Sequence, residues 1–212
     1  IPAEWQEKVV ARERIVAVAR GLFAAGAGDI DDAIWPHDEF LHAWWVQPGQ
    51  LLAGEYPGHT EPARARQKVD LLVDAGVRTF VDLTTPGDRL APYDQLVVAA
   101  AEARQLDLRH EPFPIPDLDV VDDHLYDDVA KTIENGMTRG AVYVHCWGGI
   151  GRTGTVIGCV LVDEGLSYDQ VIERLTSLRA ATRKAHRRAP EMPVQHELIR
   201  RRAARASAGP ET

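Results

Sequence analysis

The chain has 212 residues, of which 45% are hydrophobic, enough for one globular domain and short for two. Its 24 Lys and Arg are outnumbered by 32 Asp and Glu, and the resulting formal net charge of -8 gives no reason to expect a nucleic-acid partner. The two cysteines, Cys146 and Cys159, are too few for a disulfide framework and favour a reducing, cytoplasmic location.

In chain order, residues 4–25 repeat apolar side chains at helical spacing. They predict a helix within an N-terminal extension, residues 1–40, that packs on the domain and either shapes a pocket or covers a sheet edge. Two short strands joined at Pro48 and Gly49 follow. Thr60 is then the expected N-cap of a helix over 63–75 that has Pro62 in its first turn.

Strands and helices alternate through the rest of the chain. We expect strands at 77–84, 108–113 and 141–145, and helices at 93–105, 123–135 and 153–164. Ser167 and Gln170 form a capping box for a helix that ends near Arg179, a last helix follows Pro190, and residues 206–212 form a disordered tail. This order predicts an α/β fold with a central, mostly parallel sheet that has helices on both faces, within a domain spanning residues 41–205.

Basic residues are concentrated near the C-terminus. Residues 183–205 contain eight Lys or Arg and two Glu, a run typical of a solvated helix face; the alternative is a surface that attracts anionic substrates or docks on an acidic surface. The longest apolar stretch, 141–162, has the length of a membrane span, but His145 and Arg152 near its middle predict a buried core segment and no membrane partner.

The stretch VHCWGGIGRTGT, residues 144–155, joins a predicted strand to a predicted helix. It fits the dinucleotide pattern G-x-G-x-x-G, but the required second strand ending in an acidic residue does not follow. A nucleotide triphosphate loop requires Lys before Ser or Thr, and Arg152 precedes Thr153 here. Both nucleotide hypotheses therefore fail.

A catalytic loop accounts for the same residues. Cys146 stands where helix N–H groups converge, a field that stabilises a thiolate. Three glycines, Gly148, Gly149 and Gly151, let the backbone curve closely around a tetrahedral anion. Arg152 supplies a planar two-pronged donor for the outer oxygens of that anion. The alternative is a glycine-rich turn with an incidental cysteine.

The segment HCWGGIGRT resembles the His-Cys-x5-Arg-Ser/Thr signature of the protein tyrosine phosphatase superfamily, in the form shared by dual-specificity and other cysteine-based phosphatases, including bacterial ones. We call residues 146–152 the signature loop. The resemblance extends more weakly over residues 44–195. It implies a metal-independent phosphomonoester hydrolase that forms a phosphocysteine at Cys146 and binds the phosphate through Trp147, Gly148, Gly149, Ile150, Gly151 and Arg152.

The resemblance also assigns supporting roles. An Asp about 30 residues before the cysteine is the general acid; Asp117, which follows Pro114-Ile115-Pro116, is favoured over Asp119, and Asp122 and Asp123 are expected to be helix-start acids. The strand before Asp117 is expected beside the Cys146 strand.

Further roles follow from the same resemblance. Thr153 assists departure of the cysteine sulfur, or is simply an N-cap, and His145 holds the loop by hydrogen bonds. Gln195, in a degraded Pro-x-Thr-x-x-Gln pattern, either positions water or lies on a helix surface.

No cofactor is implied, since the histidines do not cluster at metal-ligand spacing. Cys159 is expected to be a core residue, with a resolving thiol as the alternative. Trp147 either stacks on a substrate ring or packs on the core. The resemblance also bears on the substrate: relatives that cleave polyphosphorylated inositides commonly carry lysines in this loop, and this loop has none, so a single phosphate beside an apolar group is the expected substrate.

A phosphorylated protein, carrying phosphotyrosine, phosphoserine or phosphothreonine, and a small phosphometabolite such as a nucleotide or sugar phosphate both fit the expected substrate. Functions from other classes are an inactive phosphate-binding module and a rhodanese-type sulfurtransferase. The sequence does not specify an oligomeric state.

Overall fold

The computed structural model describes residues 34–208. Its single sheet contains five strands: β1 (Ala43–Gln47), β2 (Leu51–Gly54), β3 (Val77–Asp82), β4 (Arg109–Pro112) and β5 (Ala141–His145). The strand order is β1-β2-β5-β3-β4, with β1 antiparallel to β2 and the other three pairs parallel. The predicted α/β fold with a mostly parallel sheet is therefore confirmed.

Within residues 34–208, six helices cover the sheet: α1 (Pro62–Asp74), α2 (Asp94–Arg104), α3 (Asp123–Met137), α4 (Gly151–Asp163), α5 (Tyr168–Arg179) and α6 (Pro193–Ala208). Neighbouring side chains of β1 show the two layers, because successive strand residues face opposite sides. Trp44 lies in the hydrophobic core with α3 to α6, and Trp45 lies in the core with α1 and α2. The sheet is therefore covered on both faces, as predicted.

Several predicted boundaries are correct, and others move by a few residues. β5 has the predicted bounds, and the capping box of Ser167 and Gln170 is present at the start of α5. The predicted cap Thr60 is wrong by one residue: Glu61 is the N-cap of α1, and its amide donates to His59 Nδ1 at 3.0 Å. α4 begins two residues early, with Ile150 at its N-cap, so the N-cap hypothesis for Thr153 is wrong.

The predicted neighbour of the Cys146 strand is also wrong. β4, which leads to Asp117, pairs with β3, and β3 separates it from β5. The chain nevertheless returns across the end of β3 after β4, since Phe113 N–H donates to Asp82 O at 2.7 Å and Ile115 N–H donates to Leu83 O at 3.2 Å. This extended segment brings Asp117 back toward β5.

The two ends of the chain fall partly outside the described residues. The predicted helix over 4–25 lies outside them, as do residues 209–212. Of the predicted extension, residues 34–40 are described, and there Trp35 is buried against Trp45 and donates to Leu41 O at 2.8 Å. α6 continues to Ala208, three residues into the predicted tail.

The basic run forms ion pairs with the neighbouring helices. Arg201 and Arg205 both pair with Asp123 at the start of α3, and Arg202 pairs with Asp163 at the end of α4. Much of its positive charge is therefore neutralised within the fold. The apolar stretch 141–162 consists of the buried strand β5, the loop after it and the largely buried helix α4. Between residues 34 and 208 no helix has the length and apolarity to cross a bilayer.

Candidate active site

The signature loop lies at the carboxyl edge of the sheet, between β5 and α4. Cys146 directly follows β5 and is 3% exposed. α4 begins at Gly151, so the thiol stands just before the N-terminus of a 13-residue helix, where unpaired N–H groups and the helix dipole favour an anion. Ile150 is buried, whereas Trp147 is 58% exposed, which removes the hypothesis that it packs on the core.

The segment that follows β2 holds the loop from one side. Tyr56 N–H donates to Trp147 O at 3.0 Å, and the Thr153 hydroxyl contacts Gly54 O at 3.4 Å. Gly149 has a φ of +69°, and a Cβ added there would lie 2.4 Å from the carbonyl carbon of Gly54. Only glycine satisfies both the left-handed backbone and this close approach.

Arg152, in the first turn of α4, is fully enclosed and strongly hydrogen-bonded. Its guanidinium, 1% exposed, forms a two-pronged ion pair with Asp88 at 2.8 and 2.9 Å. It also donates to Ile115 O at 3.1 Å and lies 3.1 Å from the Asp117 carboxylate. Burial of the Asp88 carboxylate acts to raise its pKa, but the hydrogen bonds from Arg152 and Thr85 outweigh burial and lower the pKa.

The four candidate acids on the 117–123 segment have separate environments. Asp117 is about half exposed, with 48% of its side chain accessible, and it contacts Arg152. Asp119 accepts from Val120 N–H at 2.8 Å, a bond within its own turn. Asp122 caps α3 through His124 N–H, and Asp123 pairs with arginines of α6, as expected of helix-start acids.

His145 is buried at the end of β5, next to the loop. Its Nε2 lies 2.6 Å from the Tyr93 hydroxyl, and its backbone carbonyl accepts from Leu83 N–H at 2.9 Å. Burial lowers the pKa of His145 to about 4, so the ring is neutral at pH 7. The side chain therefore connects the loop strand to the start of α2 through Tyr93.

Gln195 lies in the first turn of α6 and is 1% exposed, so it is not a helix-surface residue. Its Oε1 accepts from Glu191 and Met192 N–H, both at 3.1 Å, and its Nε2 lies 3.5 Å from Asp119 O. The side-chain amide also lies close to the signature loop, because a Cβ added at Gly151 would be 3.2 Å from it.

Cys159 lies within α4 and is 1% exposed, and burial raises its pKa to about 12. It is therefore a core residue, as expected.

Two residues of the site were not predicted from the sequence. Asp88 belongs to a short 3-10 helix, Pro86–Asp88, after β3, and a Thr85 capping box was the available signal for that turn. Lys184, between α5 and α6, donates to Gly148 O at 2.9 Å. No spacing in the sequence connects either residue to the loop, because the contacts span 64 and 36 residues.

A thiol before a helix N-terminus, a glycine-formed loop and a buried arginine beside an aspartate on a separate loop together define a cysteine-dependent phosphatase. Residues 42–207 match the family model described as "Swiss Army Knife protein, DSP-PTPase phosphatase domain", and the chain belongs to that family.

Solved structures share the fold. Tk-PTP in its active form aligns with a TM-score of 0.57 and 24% identity, covering 81% of this chain and 99% of that one. Kinase associated phosphatase (KAP), crystallised with its catalytic-site cysteine replaced by serine, aligns with a TM-score of 0.57 and 18% identity over 76% and 89% of the two chains. PTPMT1 in complex with PI(5)P aligns with a TM-score of 0.55 and 16% identity over 75% and 93%.

Proposed function

We propose that this phosphatase hydrolyses phosphate monoesters of proteins through a phosphocysteine at Cys146. The observation that supports this most directly is the position of Asp117, 3.1 Å from Arg152. It places a half-exposed carboxyl group on a different loop from the nucleophile, next to the residue proposed to bind the phosphate. A proton donor for the leaving group is needed at that position.

In the first step the Cys146 thiolate attacks phosphorus, and the P–O bond to the leaving group breaks as the S–P bond forms. Asp117 gives its proton to the departing oxygen. Arg152 and the N–H groups of residues 147–152 bind the phosphoryl oxygens and stabilise their developing charge. The product alcohol or phenol leaves, and the phosphoryl group stays on sulfur.

In the second step water attacks the phosphocysteine, Asp117 takes a proton from that water, and the S–P bond breaks to release inorganic phosphate. We propose that Thr153 assists this step by stabilising the departing thiolate of Cys146. Gln195 is proposed to position the attacking water. The Nε2 group of Gln195 is the part suited to the water, because its Oε1 is already bound to two backbone N–H groups. His145 supports the strand end without exchanging a proton.

We propose phosphotyrosine as the favoured side chain, because exposed apolar side chains adjoin residues of the site in the sequence. Four large hydrophobic side chains are exposed in the described part of the chain, and three of them are next to residues of the site. Trp147 follows Cys146, Leu118 follows Asp117, and Val194 precedes Gln195. Exposed apolar side chains of this kind suit contact with the ring of a phosphotyrosine and the residues around it.

The experiment measures phosphate release from para-nitrophenyl phosphate in the presence of EDTA, by the wild type and by Cys146→Ser. We expect turnover by the wild type and none by the variant. An inactive wild type would mean a phosphate-binding module, and sulfur transfer from thiosulfate to cyanide would mean a rhodanese. A screen that compares phosphopeptides with nucleotide and sugar phosphates then tests the substrate class. Faster turnover of a small phosphate would show that the substrate is a metabolite and not a protein.

A further inference from the structure

Four charged residues, on elements that the mechanism does not use, form a cluster that reaches the signature loop through Lys184. Glu55 follows β2, Lys68 lies on α1, and Arg183 and Lys184 lie between α5 and α6. Arg183 and Lys184 bind the Glu55 carboxylate at 2.8 and 2.7 Å, and Lys68 lies 3.6 Å from it. We call these residues the Glu55 cluster.

Lys184 is the member of the cluster that bonds to the loop. Its ammonium donates to Gly148 O at 2.9 Å while it is bound to Glu55. In a trans peptide the C=O and the following N–H point in opposite directions. Because Lys184 holds the carbonyl of the 148–149 peptide, the N–H of Gly149 points away from the Glu55 cluster. The Tyr56 bond to Trp147 O orients the preceding peptide in the same manner.

The 148–149 peptide needs such a bond because it joins two glycines. Gly148 has open space where a Cβ would be, and Gly149 has a left-handed φ of +69°. Glycines reach several backbone conformations at similar cost, so this peptide has little intrinsic preference for one orientation. A charge-assisted hydrogen bond to its carbonyl supplies the preference that side-chain packing does not.

Arg179, at the end of α5, holds Lys184 in place. It is 3% exposed and donates to the backbone carbonyls of Arg187 and Lys184 at 2.8 and 3.1 Å. Its guanidinium carbon lies 5.4 Å from the ring centroid of Trp44 in β1. Arg179 therefore connects the backbone of the turn that carries Lys184 to the sheet, independently of the Lys184 side chain.

We propose that Lys184 is a positioning residue, which fixes the 148–149 peptide so that the N–H of Gly149 is available to a bound phosphate. This inference rests on the proposed function in taking the signature loop as the phosphate site. Lys184 is thus a lysine that contacts the loop from outside, whereas residues 146–152 themselves contain no lysine. Lys184 acts through the backbone and takes no part in proton transfer.

The test compares Lys184→Met with Lys68→Met. Both variants remove one cation from around Glu55, but only the first removes a bond to the loop. Gly148 is the only glycine in the sequence that follows a tryptophan, and Gly149 is the only one that follows a glycine, so selective ¹³C and ¹⁵N labelling identifies both amides. Vanadate affinity is measured in parallel, and thermal unfolding shows that each variant is folded.

We expect the Gly149 amide signal of unliganded Lys184→Met to shift and to broaden or double, and vanadate binding to weaken about tenfold or more. Lys68→Met should retain both properties. Lys184→Arg, which keeps a cation and N–H donors, should restore most of the vanadate affinity and serves as the informative variant if Lys184→Met does not fold. The inference is overturned if Lys184→Met matches Lys68→Met in both measurements. It is also overturned if the Gly149 signal of Lys184→Arg shows that the bond to Gly148 O is lost, yet this variant binds vanadate as well as Lys68→Met does. The amide measurement needs no substrate, so it stands apart from any failure of the proposed hydrolysis.

Discussion

Arg152 and Asp88 form a two-pronged ion pair, at 2.8 and 2.9 Å, in which the side chains are 1% and 3% exposed. The carboxylate binds both Nη atoms, so it fixes the plane of the guanidinium. A buried arginine held in this way keeps its charge and a single orientation of its guanidinium. The two residues lie 64 positions apart in the sequence.

We therefore predict that Asp88→Asn weakens both catalysis and stability. The amide is neutral and has one oxygen, so Arg152 loses one prong of the pair, and the half-exposed Asp117 carboxylate remains as its nearby counter-charge. Breaking a buried pair costs about 3–5 kcal/mol of unfolding free energy. Urea denaturation and kcat/KM for para-nitrophenyl phosphate check this. Asp70→Asn, which changes a partly exposed carboxylate paired with Arg104, is the control. It should change the unfolding free energy and kcat/KM only slightly. Unchanged stability in Asp88→Asn would contradict the predicted role of the pair.

Asp117→Asn should lower kcat about 10²-fold or more, because the amide can neither give a proton to the leaving oxygen nor take one from water. The loss should be smaller for a substrate with a good leaving group, which needs less protonation. The measurement compares para-nitrophenyl phosphate, which has a good leaving group, with a phosphotyrosine peptide. Asp119→Asn, at the neighbouring candidate, should leave kcat nearly unchanged. A large loss in Asp119→Asn and none in Asp117→Asn would show that Asp119 is the general acid.

His145 predicts a pH dependence of stability. Burial lowers its pKa to about 4 from an ordinary value of about 6.5. As the pH falls, the unfolded state therefore binds a proton at this ring before the folded state does. The stability that depends on the neutral ring is complete above about pH 6.5 and is lost as the pH falls from there toward 4, by about 3 kcal/mol.

His145→Asn removes this titration. Between pH 7 and pH 4 the unfolding free energy of the wild type should therefore fall by about 3 kcal/mol more than that of the variant. Urea denaturation followed by tryptophan fluorescence measures it. A difference that stays constant across this range would show that the ring does not titrate as expected.

Cys159 should remain reduced when the enzyme is oxidised. Its thiol is 1% exposed and burial raises its pKa to about 12, so little thiolate forms at neutral pH. Mass spectrometry after brief peroxide treatment should find oxidation at Cys146 and no disulfide between the two cysteines. Cys159→Ala should keep kcat within about twofold of the wild type, since the thiol acts as a small hydrophobic group. A Cys146–Cys159 disulfide would restore the resolving-thiol hypothesis.

The order of elements and the signature loop were predictable because their signals are local. The bounds of β5, the capping box of α5 and the sequence from Cys146 to Arg152 each depend on neighbouring residues. Strand order was not predictable in the same way: β4 pairs with β3, and the Asp117 segment reaches Arg152 only by crossing the end of β3. The contacts of Asp88 and Lys184 are likewise products of tertiary structure, and no local pattern encodes them.

The close approach of Gly149 to Gly54 makes the loop and the end of β2 mutually dependent in shape. A Cβ at Gly54 would itself lie 2.5 Å from both His42 O and the Tyr143 hydroxyl, so neither glycine has room for a side chain. Transplanting residues 144–155 onto another strand-to-helix junction would carry over the cysteine and arginine without the surface that gives their backbone its curvature. An engineered host for this chemistry would have to include residues 54–56 as well.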